Sequence, residues 1–369
     1  MNETFDKNDF LNLLEKLATE KGASLFEEPR RKVLQTYLNK NNVATKVDSA
    51  GNLWAEFGED LWGETIVFDA HIDVVQKGYT EAVKYEKNKI IGMGVADNLT
   101  AVAMLALIGK MITKKQLVLK RPLKILFSVG EEGDGNLKGV RQVVKDNPTP
   151  PFLFISFDLS FEEYSLSALG SKRYQIEVQC PGGHSWDDYG TPGAIDILIN
   201  FFEKLKKEFR RIESEKSDNV SFNIGRITGG EGINSIAKSA EAAFEFRSVD
   251  YQLLEKLDSI SKNIIHEMNN KKHVHINCSL TGERPAADSV QPEKIEPLIK
   301  RLLSVVCSNP QAVPRSTNIN IPLVAGWPSV CMGLCRSGRF HSEEEYVEID
   351  SLSDGWYLLC SLFTELMIN

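Results

Sequence analysis

The chain has 369 residues, more than one ordinary hydrophobic core holds, so two domains are expected. With 42% hydrophobic and 25% charged residues it has the composition of a soluble globular protein, not a disordered one. A formal net charge of -8 argues against a protein that works by neutralising phosphates, so nucleic acid is not an expected partner.

The first six residues, Met1 to Asp6, are acidic and polar and carry no signal-peptide core. The most apolar segment, Ala101 to Ile112, is interrupted by Gly109-Lys110 and is short for a bilayer span. A cytoplasmic protein without a membrane partner is the expectation. The cysteines at 180, 278, 307, 331, 335 and 360 form no Cys-x-x-Cys pair, so they read as small core residues and not as a disulfide framework or thiolate site. The basic clusters around Lys204 to Arg211 and at Lys271-Lys272 read as solvated faces.

In chain order, residues 8 to 21 predict an amphipathic helix with Phe10, Leu14 and Leu17 on one stripe. A second helix is expected from about 29 to 39. Alternation at 43 to 47, a turn at 49 to 52 and a strand at 53 to 57 follow. The run Thr65-Ile66-Val67-Phe68 then climbs into Asp69-Ala70-His71-Ile72-Asp73. Residues two apart on a strand share a face, so His71 and Asp73 point the same way at a strand end. That pair suits a metal-binding imidazole held by a carboxylate, or equally a core histidine with an acidic neighbour.

A glycine-bearing turn at 92 to 94 leads through Asp97 into an apolar helix from about 99 to 111, where Asp97 has the place of a helix cap. The strand 123 to 129 ends in Gly130-Glu131-Glu132-Gly133. Neighbouring side chains diverge on an extended chain, so one carboxylate could bind a metal while the other faces its water, unless the pair is an acidic solvent loop. The strand 152 to 157 runs into Asp158. Apolar strands that alternate with helices imply a mostly parallel sheet, and such sheets bind ligands at the carboxyl ends of their strands. His71, the Glu131-Glu132 pair and Asp158 lie at such ends.

From Ser171 the pattern becomes a half-exposed strand, then a helix opened by Thr191-Pro192, strands at 220 to 227 and 240 to 246, a helix at 251 to 268 and a strand at 274 to 277. This β-α-β-β-α-β order predicts a small α+β unit inserted into the first domain. The chain returns with helix-like residues 291 to 307, a strand at 329 to 333, a loop before His341, and a last helix at 352 to 366. Glu343-Glu344-Glu345 reads as a solvated helix start. His266, His273 and His275 read as surface residues of the inserted unit.

Taken together, FDAHIDVV (68 to 75), GVADN (94 to 98), GEEGDG (130 to 135), Phe157-Asp158, GSKRYQIEVQCPGGHSW (170 to 186) and RFHSEEEYV (339 to 347) appear in an order that resembles the dinuclear zinc metallopeptidases. That family includes peptidase T, acetylornithine deacetylase, aminoacylase and bacterial glutamate carboxypeptidase. Peptidase T-like members look closest. The resemblance implies an α/β catalytic domain over 1-170 and 286-369, with a mostly parallel central sheet flanked by helices. It implies an inserted α+β lid, which also dimerises, over 171-285.

By position, the resemblance implies that His71 and Asp158 bind one zinc, Glu132 and His341 bind the other, and Asp97 bridges both. Glu131 would be the general base acting on a metal-bridging water, and Asp73 would orient His71. Each ion would then have an imidazole, a carboxylate, a share of Asp97 and the water, which makes four ligands. Manganese or cobalt would also suit such a donor set. His184, Asn234 and Arg247 match lid positions that contact substrate, the histidine by stabilising an oxyanion in the partner subunit's site and the arginine by gripping a carboxylate. A purely interfacial salt bridge is the alternative for Arg247.

The implied activity is that of a homodimeric, zinc-dependent, aminopeptidase-like exopeptidase on short peptides. N-acyl-amino-acid deacylation or carboxypeptidase action at the same metals is the alternative. Relatives often carry Asp where this chain has Asn318; if that Asp contacts a substrate amine, Asn318 would weaken the preference for a free N-terminus.

Overall fold

A computed structural model describes residues 4–75, 82–215 and 220–368, and for Glu215 its backbone alone. Met1 to Glu3 of the acidic N-terminal stretch lie outside these residues. The chain forms two compact units, the first from residues up to Ala168 together with those from Asp288 onward, the second from Leu169–Ala287.

The first unit opens with helices α1 (Lys7–Thr19) and α2 (Glu28–Lys40) and strands β1 (Thr45–Val47), β2 (Leu53–Phe57) and β3 (Ile66–His71). A hairpin of β4 (Lys84–Glu86) and β5 (Lys89–Ile91) precedes α3 (Thr100–Lys115), β6 (Leu123–Ser128), α4 (Lys138–Asp146), β7 (Leu153–Phe157) and β8 (Glu163–Ser165). The second unit holds β9 (Gly170–Gln179), β10 (Gly183–His184), α5 (Ala194–Glu215), β11 (Val220–Gly229), β12 (Ser235–Ile236), β13 (Ser239–Ser248), α6 (Tyr251–Asn269) and β14 (His275–Arg284). The first unit resumes with α7 (Pro292–Leu303), β15 (Gln311–Ala312), α8 (Asn320–Val324), β16 (Ser329–Met332), β17 (Ser337–Gly338), β18 (Tyr346–Glu348) and α9 (Ser351–Met367).

The large sheet runs β1-β2-β6-β3-β7-β16-β8-β15. Its centre is parallel: β3 pairs with β6 and β7, and β7 with β16. All six residues of β3 are buried, as expected of a strand covered on both faces. His71 lies opposite Ser128, and Asp69 opposite Ser156, so the carboxyl ends of three strands finish side by side. The α/β class expected from the strand and helix pattern is the one observed.

The first unit's core takes Phe10, Leu14 and Leu17 from α1, the stripe expected of that helix. Helix α3 is buried nearly all round, from Thr100 to Ile112. Together with the turn before it, it spans Val95–Lys115, 21 residues, and is long and apolar enough to cross a bilayer. That corrects the expectation of a segment too short to span, but 89% of its apolar window is covered by the protein's own core.

Arg30 ties the start of α2 to this core. It is 1% exposed, and its guanidinium donates to the carbonyls of Leu17, Gly22, Glu20 and Ile72. Burial pulls its pKa down to about 10 against the opposing fields of Asp73 and Glu20, so it stays charged at neutral pH. A Cβ at Gly22 would lie 2.3 Å from the Arg30 guanidinium carbon, so any larger residue there would displace the guanidinium from these carbonyls. Arg30→Met would strand these buried carbonyls. We expect it to cost about 3–5 kcal/mol in urea unfolding, whereas a change below about 1 kcal/mol would contradict the packing role.

In the second unit an antiparallel sheet runs β11-β13-β9-β14. Tyr174, Ile176 and Val178 of β9 alternate inward with Phe244 and Phe246 of β13, against Leu198 and Phe201 of α5 and Leu254 and Leu257 of α6. Helix α5 starts at Ala194, two residues later than the expected Pro192, and the Ala194 N–H, free of an intrahelical partner at the helix start, donates to the Ala237 carbonyl. Strand β14 runs on to Arg284, well past the expected end at 277.

Candidate metal centre

The central sheet delivers four of the predicted residues to one place. His71 ends β3, Glu131 and Glu132 follow β6, and Asp158 follows β7. Asp97 comes from the irregular turn before α3, and His341 from the loop between β17 and β18. That loop is held against the Asp97 turn by a small sheet, β17-β18-β5-β4.

Asp97 lies between the two imidazoles. Its Oδ1 is 2.8 Å from Nε2 of His71, and its Oδ2 is 3.0 Å from Nε2 of His341. Asp158 lies 3.6 Å from the same nitrogen of His71, and Glu132 lies 2.8 Å from that of His341. Two donor sets therefore share Asp97: His71, Asp97 and Asp158, and Asp97, Glu132 and His341, with the ligand atoms of each set within 4.8 Å of one another. His71, Glu131 and Glu132 make a third such set. Among the described residues, His266, His273 and His275 join none. Asp97 is no helix cap, since α3 begins after Leu99 without a side-chain cap.

The electrostatics show a cluster short of positive charge. Burial raises the Glu132 pKa to about 7, helped by the field of Asp97. Asp158 is raised well above the usual carboxylate range, by burial and again by Asp97. Hydrogen bonds that its ring donates to Asp97 and Glu132 push His341 up to about 11. Burial acts to lower His71, but Asp158, Asp73 and Asp97 together carry it well above its ordinary value. Crowded acids that hold protons, beside imidazoles that take them up, are what a divalent cation would reverse. Nitrogen and carboxylate donors without a thiolate fit zinc, manganese or cobalt.

Asp73 does more than face His71. The Nδ1 of His71 is 3.1 Å from the Asp73 carbonyl oxygen and 3.5 Å from its carboxylate. That carboxylate also accepts from the backbone N–H groups of Glu131 and Glu132, at 3.1 and 2.9 Å. One acid thus orients the ring at the end of β3 and the acidic pair after β6.

Two readings are corrected. Glu343 to Glu345 starts no helix, and Glu345 is 1% exposed. Its carboxylate accepts from the N–H groups of Ala96, Asp97 and His341, so it places a residue of each side of the second donor set. The signal lay in the period of two: Glu345, just before β18, and Val347 within it are both buried, with the half-buried Tyr346 between them.

Asn318 is also buried, and its amide donates to Asp69 and Ser128. Asp69, fully buried one pleat below His71, accepts from Ser128 and Ser156 as well. Asn318 supplies a neutral donor to that carboxylate and does not face a substrate amine. An aspartate there would bring a second carboxyl against Asp69.

The remaining predicted residues lie in the second unit. His184 is in β10 with its side chain half exposed, its Nδ1 3.3 Å from the Asp187 carboxylate. Asn234 lies in the exposed turn before β12, and its carbonyl accepts from Ser185. Arg247 is half-buried on β13 and donates to Glu245 at 2.9 Å.

The sequence profile of Peptidase family M20/M25/M40 matches residues 67–365. A probable carboxypeptidase of Ajellomyces capsulatus is 23% identical over 78% of this chain and 72% of its own length. The acetylornithine deacetylase of Edwardsiella ictaluri is 23% identical over 84% and 82%. The fold is that of a tripeptidase from Staphylococcus aureus, with a TM-score of 0.79 over 99% of both chains at 16% identity. The chain belongs to Peptidase family M20/M25/M40 and is a metal-dependent hydrolase.

Proposed function

We propose that the chain is an aminopeptidase-like exopeptidase that hydrolyses an amide bond of short peptides with two zinc ions. The observation that carries this reading is the position of Asp97, with one carboxylate oxygen toward each imidazole. His71 and Asp158 would hold one ion and Glu132 and His341 the other, with Asp97 shared. Bound divalent ions supply Lewis acidity toward water and toward the amide carbonyl.

Glu131 is the proton carrier. It is 3% exposed, and its backbone is fixed by Asp73. It accepts one proton from the attacking water as the oxygen adds to the carbonyl carbon. It returns that proton to the amine nitrogen as the carbon–nitrogen bond breaks. Asp73 and Glu345 keep the ring of His71, the acidic pair, Asp97 and His341 in register. His184, Asn234 and Arg247 recognise substrate, the arginine by pairing with a carboxylate. The second unit pairs two copies through β11, a ten-residue edge strand with Ile227 exposed, beside the exposed Ile195 and Ile199 of α5.

The second reading is deacylation of N-acyl amino acids or carboxypeptidase action, favoured by the sequence relatives that carry those names. Burial of Asn318 against Asp69 removes the reason for expecting a weaker preference for a free N-terminus, so that residue does not favour this second reading. A panel of tripeptides, dipeptides and N-acetyl amino acids on zinc-loaded protein tests the choice. Free tripeptides are expected to give the highest kcat/KM. An N-acetyl amino acid at the top of the panel would replace the first reading with the second.

A further inference from the structure

The segment Glu131-Glu132 follows β6 but belongs to no strand, so no ladder fixes it. Four successive amides are held instead by buried side-chain oxygens. Val129 donates to Asn52 at 3.0 Å, Gly130 to Glu27 at 2.9 Å, and Glu131 and Glu132 to Asp73. Glu27 comes from the loop between α1 and α2, is 7% exposed, and its carboxylate also accepts from Leu25. Ser24 of the same loop donates its hydroxyl to the Glu132 carbonyl at 2.8 Å.

This loop grips the end of β3 as well. Ser24 donates its N–H to the Val74 carbonyl, Val74 donates to Gly22, and Arg30 donates to Ile72 at 2.8 Å. The segment thus touches the backbone on both sides of the candidate centre: at Ile72 and Val74 beside His71 and Asp73, and at Gly130 and Glu132 around Glu131. It lies wholly before residue 67, where the family match begins.

We infer that residues 22–30 form a clamp that sets the distance between the His71 strand end and the Glu131-Glu132 turn, with Glu27 as a positioning residue for Glu131. Its carboxylate works as a hydrogen-bond acceptor for the Gly130 amide. Without it that buried N–H loses its partner, and the turn can move by the fraction of an ångström that matters to a proton carrier. The inference rests on the role proposed for Glu131, but the two can fail separately.

The test compares Glu27→Ala with Glu27→Gln, whose amide oxygen can still accept from Gly130. For a peptide that the wild type hydrolyses, Glu27→Ala is expected to lower kcat about 10–100-fold. KM should change far less, and Glu27→Gln should recover most of the loss. In zinc-loaded protein, hydrogen exchange of the amides at 130 to 132 should be faster in Glu27→Ala and near wild type in Glu27→Gln. Folded Glu27→Ala with wild-type kcat and wild-type exchange overturns the inference, as does an equal loss in both variants. If Glu27→Ala does not fold, Ser24→Ala removes a single hydroxyl contact and carries the same two measurements, with the same directions expected. Exchange is read without turnover, so faster exchange in Glu27→Ala supports the clamp even where Glu131→Gln proves active and the proton-carrier role fails.

Discussion

Glu131→Gln is expected to lower kcat by about 10²–10⁴-fold while metal content and KM stay close to wild type. Glutamine has nearly the same shape and keeps the backbone N–H that Asp73 accepts. It cannot take a proton from water at neutral pH, so the loss falls on the chemical step. The residue sits at the strand end beside Glu132, in a donor set with His71. Steady-state kinetics with metal analysis of the same sample checks this. A variant that keeps both its metal and its turnover would remove Glu131 from the mechanism.

Asp97→Ala is expected to have the other large effect. Each imidazole loses a carboxylate oxygen, 2.8 Å from His71 and 3.0 Å from His341. Both donor sets then fall to two residues, below what a divalent ion at a nitrogen and oxygen site needs. Metal affinity should fall at least 100-fold at both sites, beyond the ~10–100-fold typical when only a supporting contact is lost, and turnover should fall with it. Asp158→Ala and His341→Ala should each weaken one site more than the other. Competition with a chromophoric chelator distinguishes these patterns. Equal, single-site losses in all three variants would mean that Asp97 is not shared.

Much of this centre could be read from the order of residues. Period two places His71 with Asp73, and short apolar strands that end in acids point to one edge of a parallel sheet. The family resemblance then named the partners. What could not be read locally is instructive. Asp97 before a helix has the same local pattern whether it caps that helix or faces two histidines, and His341, 244 residues away, decides between them. Glu345 hides in a run of glutamates whose average property is solvation, although its phase with Val347 marks it as inward.

Ser24, Glu27 and Arg30 leave no mark at all, because most of their partners are backbone amides and carbonyls. Those groups occur at every position, so nothing in a distant segment's sequence reveals that it will need them. Asn318 shows the reverse error. Its neighbours in sequence suggest a pocket residue, whereas its side chain closes a buried network around Asp69.

The central claim is a pair of metal sites joined by one carboxylate. Zinc titration of metal-free protein, followed by calorimetry and checked by elemental analysis after desalting, tests it most directly. Two ions per chain are predicted for the wild type, and fewer than one for Asp97→Ala under the same conditions. A wild type that retains one ion or none, or an Asp97→Ala variant that still retains two, would contradict it.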